Sequence, residues 1–72
     1  MTDEKLLRAK IDEAGLKLKY VAEQLGLSSY GLQLKLSNKS EFKTTEVAAL
    51  CRILNITSLE EKESIFFAQK DD

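Results

Sequence analysis

The sequence predicts an all-α fold, a compact bundle of five short helices around one small core, and three observations predict it. Apolar residues recur at three- and four-residue spacing, as in Leu7, Ile11 and Ala14 or Val47, Leu50, Cys51 and Leu54, the pattern of helices that bury one face. Glycine, asparagine and serine punctuate these segments where helices end and begin, and the chain contains no proline. The 72 residues are 43% hydrophobic and 32% charged, the balance of one ordinary globular domain with a single core.

The first helix is expected from residue 2 or 3 to 14. Leu7, Ile11 and Ala14 form its stripe, Leu6 widens it, Asp3 and Glu4 favour its N-terminal end, and Gly15 stops it. The second, 18–25, carries Val21, Ala22 and Leu25; Lys17 stands where a Ser, Thr or Asp cap is expected, and Gly26 supplies the positive backbone angle of a helix end. Ser28 is a good N-cap for the third helix, 29–36, in which Leu32 and Leu36 restart the spacing and Gly31 costs about 1 kcal/mol relative to alanine. Asn38, Lys39 and Ser40 form a turn, and Glu41 to Lys43 run extended with Phe42 tucked inward. Thr44 is expected to cap a fourth helix, 45–54, with Asn55 as its left-handed end. Ser58 and Glu61 make a capping box for a fifth helix beginning at Leu59. The domain is expected to span 1–68, with a frayed polar end at 69–72.

Two short helices joined by a sharp turn at 26–28, with the small Ala22 allowing close approach, make a helix-turn-helix, the unit that seats its second helix in a DNA major groove. If Leu32 and Leu36 face the core, a turn of about 100° per residue leaves Ser29, Tyr30, Gln33, Leu34 and Ser37 facing away from it or flanking it. Gln33 can pair with adenine, and Ser29 and Ser37 can reach phosphates or base edges. Lys35, Lys39 and Lys43 are candidate phosphate contacts, with Lys17 and Lys19 at the start of the preceding helix. The same polar residues also fit a merely solvated face. Tyr30 and Leu34, four apart, make an apolar patch that fits a partner surface. Leu34 packed sideways as peripheral core is the other possibility.

Charge is unevenly spread. The chain carries a net −1, but residues 17–43 hold five lysines against Glu23 and Glu41, a net of +3, and residues 44–72 a net of −3. The basic third has no arginine, so bidentate guanine readout by arginine is absent there. Histidine is missing altogether, which removes His-based acid–base chemistry, His-activated nucleophiles and ordinary zinc sites. Lys35 and Ser37, two apart on a helix, face different ways. A non-enzyme without cofactor, metal or small-molecule substrate is expected. Cys51, the single cysteine, is expected as a buried, inert side chain. The acidic N-terminus and the lack of a long apolar run predict neither signal peptide nor membrane span, hence a cytoplasmic protein.

With these residues in place, the chain resembles the xenobiotic-response-element type of helix-turn-helix family, which includes the lambdoid Cro and repressor domains. Val21-Ala22, Leu25-Gly26-Leu27-Ser28 and Leu32 carry the likeness, which runs from about Leu7 to Ile56. A narrower likeness is to small regulators from phages of Gram-positive bacteria, through Lys35-Leu36-Ser37-Asn38-Lys39-Ser40-Glu41-Phe42, then Glu46-Val47, then Phe66-Phe67. The resemblance implies a lambda-repressor-like five-helix fold and a role in a lysis–lysogeny switch inside the bacterial host. By analogy the DNA-facing positions are Ser28, Ser29, Tyr30, Gln33, Leu34 and Ser37, with Lys39 on phosphate. The chain departs from the family at Lys17-Leu18, where Thr-Gln is common, and at Leu34, often polar or basic.

The leading expectation is a Cro-like regulator that places its third helix in operator DNA, as a dimer on two half-sites. The runner-up is an antirepressor or modulator that uses the same face to bind the phage repressor's DNA-binding domain. Any homodimer is expected at the fifth helix and the Phe66-Phe67 end, with at least one of these rings in the monomer's core.

Overall fold

The computed structural model describes residues 1–69, so the predicted frayed end lies, from residue 70 onward, outside the described residues. Five helices follow in order: α1 (Glu4–Glu13), α2 (Leu18–Gln24), α3 (Ser29–Leu36), α4 (Thr44–Ile53) and α5 (Leu59–Phe66). No strand occurs among the described residues, and none of their helices is long and apolar enough to cross a membrane.

Every helix sends apolar residues to one core, although Ala14, expected on the α1 stripe, is exposed because the helix ends one residue before it. Leu7 and Ile11 come from α1, Val21 and Ala22 from α2, Leu32 and Leu36 from α3, Val47 and Leu50 from α4, and Ile65 and Phe66 from α5, with Ile56 between the last two. Phe42 reaches in from the extended segment and meets Phe66 edge to face, ring centroids 5.9 Å apart at 86°. Phe66 is therefore the core ring, and Phe67 is exposed. Cys51 is half-buried against the same core, and burial pushes its thiol above the ordinary range, outweighing the nearby Lys62.

The first four helices end alike. Gly15, Gly26, Asn38 and Asn55 have φ of 72°, 71°, 65° and 56°, and in each case the next N–H donates back to a carbonyl five residues before it. These bonds run from Leu16 to Ile11 at 3.2 Å, Leu27 to Ala22 at 2.8 Å, Lys39 to Leu34 at 2.9 Å and Ile56 to Cys51 at 2.8 Å. This is the Schellman closure, which satisfies the last carbonyls of a helix and turns the chain sharply. It joins α2 to α3 within four residues.

Helix starts depart from the sequence reading by one position twice. Asp3 caps α1, its carboxylate accepting from Leu6 N–H at 3.0 Å, so the helix begins at Glu4. Lys43, rather than Thr44, holds the cap position of α4, because the Glu46 carboxylate reaches back to accept Lys43 N–H at 2.8 Å. Lys17 makes no side-chain cap, as its type predicts. The freed N-terminal residues lie along the end of α5: Asp3 N–H donates to Ile65 O at 2.7 Å and Ala68 N–H to Met1 O at 2.9 Å. Thr2, 6% exposed, is buried between.

Candidate docking surface

α3 begins cleanly because the Ser28 hydroxyl accepts from Gly31 N–H at 3.0 Å. Leu32 and Leu36 then anchor it from behind, 1% and 0% exposed. Ser29, Gln33 and Ser37, each four residues from the next, form an exposed stripe, and Tyr30 projects beside it at 71% exposure. Ser37 Oγ donates to Gln33 O at 2.9 Å. Ser28, also exposed, completes the N-terminal end.

Two sequence expectations change here. Leu34 is half-buried instead of forming an open ridge with Tyr30, and it stands outside the apolar residues packed on the core. Lys35 leaves the set of phosphate contacts. Its side chain lies on the buried side of α3, 8% exposed, and its ammonium donates to the Glu46 carboxylate of α4 in a buried ion pair. Burial pushes the Glu46 carboxyl up, but the hydrogen bonds from Lys35 and from Lys43 N–H, with the charges of both lysines, outweigh it and hold the group below the ordinary carboxylate range.

The outward face of α3 consequently carries no formal charge. Around it Lys17, Lys19, Lys39 and Lys43 are exposed as expected, interspersed with exposed Glu23 and Glu41. Lys17 and Lys19 border a shallow depression with Gly15, Leu16, Tyr20 and Glu23, to which no α3 residue contributes. Lys39 and Lys43 follow the other end of α3. The lysines thus fall in two groups, one at the start of α2 and one just after α3.

A second apolar feature lies at the end of α5. Met1, Phe42, Phe66 and Phe67 line a groove of about 240 Å³, and Met1 and Phe67 are 57% and 58% exposed at its rim.

Sequence reasoning missed Glu46 and Asn38. The signal for Glu46 was its place three residues after the α4 cap position, where a carboxylate satisfies the first N–H groups. In the sequence Asn38 is legible only as a turn residue, whereas its side chain pairs with the backbone of Thr2, donating to Thr2 O and accepting from Thr2 N–H, each at 2.8 Å. No protein-family model, curated protein or solved structure matches this chain.

Proposed function

We propose that this chain is a small helix-turn-helix regulator of a phage-type lysis–lysogeny switch, which docks the outer face of α3 onto the DNA-binding domain of the phage repressor. It is a binding protein of the lambda-repressor-like fold type, without catalysis, acting in the cytoplasm of the bacterial host.

One observation carries this ordering of the two expected functions: the ammonium of Lys35 is engaged by Glu46 inside the fold. What remains outward on α3 is a neutral face, an exposed tyrosine among serine and glutamine side chains. An aromatic anchor with adaptable polar neighbours is the composition of a protein-binding surface. Affinity for DNA rests instead on cations set against phosphates. The net charge of −1 and the acidic last third also suit a partner that is itself basic enough to hold an operator.

Operator DNA is the second reading, favoured by the four exposed lysines at the start of α2 and just after α3 and by Gln33, which can address an adenine. A side-by-side titration separates the two: calorimetry against the repressor domain, and fluorescence anisotropy against operator fragments at about 50–100 mM salt. The expected result is a repressor complex that Tyr30→Ala weakens by about 1–3 kcal/mol, with no specific DNA shift at micromolar protein. Specific DNA binding, impaired by Gln33→Ala and Lys39→Ala more than by Tyr30→Ala, overturns the ordering.

A further inference from the structure

Four helices close in the same way, and one of them lacks the usual anchor. Beyond the left-handed residue, α1, α2 and α4 place Leu16, Leu27 and Ile56, apolar side chains packed in or against the core, the contact that ordinarily fixes such an end. α3 places Lys39 there, exposed to solvent. The fastening is made by Asn38 instead, whose side-chain amide pairs with the peptide groups on both sides of Thr2, both bonds 2.8 Å. Thr2 is buried, and its neighbours Met1 and Asp3 are bonded to Ala68 and Ile65 at the end of α5. Asn55 occupies the matching place after α4 with nearly the same φ, yet its side chain makes no hydrogen bond among the described residues.

We propose that Asn38 is a positioning residue for the docking surface: through Thr2 it fastens the C-terminal end of α3 to the end of α5 and so sets the angle at which Ser29, Gln33 and Ser37 are presented. The fastening stands on its own geometry; its purpose rests on α3 being the docking face. Asparagine is the side chain that both tolerates a left-handed backbone and offers one donor and one acceptor to a peptide. A glycine would satisfy the backbone angle alone.

The test is backbone hydrogen exchange on the full chain, comparing wild type with Asn38→Gly and with Asn55→Gly as the internal control. Asn38→Gly keeps the left-handed turn and deletes the amide. Loss of two hydrogen bonds is expected to speed exchange at Thr2, Lys39 and Ser40 about tenfold relative to the core amide of Leu50. Asn55→Gly leaves those ratios unchanged. Exchange that does not change, or that rises in step with Leu50, overturns the fastening. If Asn38→Gly does not fold, Asn38→Asp retains the acceptor for Thr2 N–H and loses the donor, and unchanged exchange in that folded variant overturns it equally. Calorimetry with the repressor domain, at a temperature where each variant is fully folded, reads positioning: about tenfold weaker binding is expected for Asn38→Gly and none for Asn55→Gly. Loosened exchange with undiminished affinity overturns the positioning role. A wild-type protein that binds neither repressor nor operator removes the docking role, while the exchange result still decides the fastening.

Discussion

At the scale of single residues, Lys35 is the side chain whose charge and position disagree. Its charge reads as solvent-facing, whereas its place on α3, beside Leu36 and on the side of Leu32, reads as buried. Position prevails because Glu46 of α4 waits opposite. That partner lies eleven residues onward in another helix, beyond the reach of any local pattern. Leu32 and Leu36, whose partners are simply the core, were legible from spacing alone. Removing one member of a buried pair strands the other, so Lys35→Met is expected to cost about 3 kcal/mol and lower Tm by at least 12 °C, roughly, in a thermal melt. Adding Glu46→Leu removes the stranded carboxylate but also the acceptor for Lys43 N–H, so it should restore only part of that loss. The pair also sets a pH limb. Because Glu46 titrates lower in the folded chain than its ordinary value of 4.5, its contribution is fully present above that value. It is lost as pH falls through the lower folded one. An acid titration of stability should therefore fall less steeply for Glu46→Gln than for wild type below about pH 4.

At the scale of elements, helix ends and helix starts were both legible to within a residue or two. α1, α2 and α4 stop one residue short of the expected 14, 25 and 54, and α1 and α4 begin one residue from the expected position. Gly15, Gly26 and Asn55 mark ends through backbone angle, a property of the residue itself. Starts depend on which side chain reaches back: Asp3 and Glu46 decided where α1 and α4 begin, each moving the boundary by a residue. The α2–α3 turn gives a direct check on this account. A Cβ at Gly26 would meet nothing within 4 Å, so Gly26→Ala should cost only the strain of the left-handed angle, about 1–2 kcal/mol. Urea denaturation should show a lower midpoint with an unchanged slope. The half-burial of Leu34 was one of two readings the sequence offered, and helical spacing alone could not choose between it and an open patch with Tyr30.

At the scale of the whole molecule, charge is arranged so that the stripe on α3 is neutral, with exposed lysines at the start of α2 and just after α3. Binding that uses the stripe should respond to Tyr30→Ala and only weakly to salt. Binding that uses those lysines should weaken steeply as salt rises, by roughly 0.9 in log K per phosphate neutralised for each decade of salt. A salt series on whichever complex forms is therefore a reading of which part of the surface is in contact. The α1–α5 side is tied by a surface pair, Lys10 to Glu61 at 2.7 Å, whose hydrogen bond holds the Lys10 ammonium above its ordinary value. Exposed to solvent, it adds little to stability.

The two ends of the described chain hold one another: the Met1 ammonium donates to Ala68 O at 3.3 Å and Ala68 N–H donates to Met1 O. A purification handle fused ahead of Met1 would turn that ammonium into an ordinary amide and crowd the buried Thr2 to which α3 is moored. A handle placed at the far end of the sequence leaves the Met1 amine as it is, so measured affinities should differ between the two placements of one and the same tag.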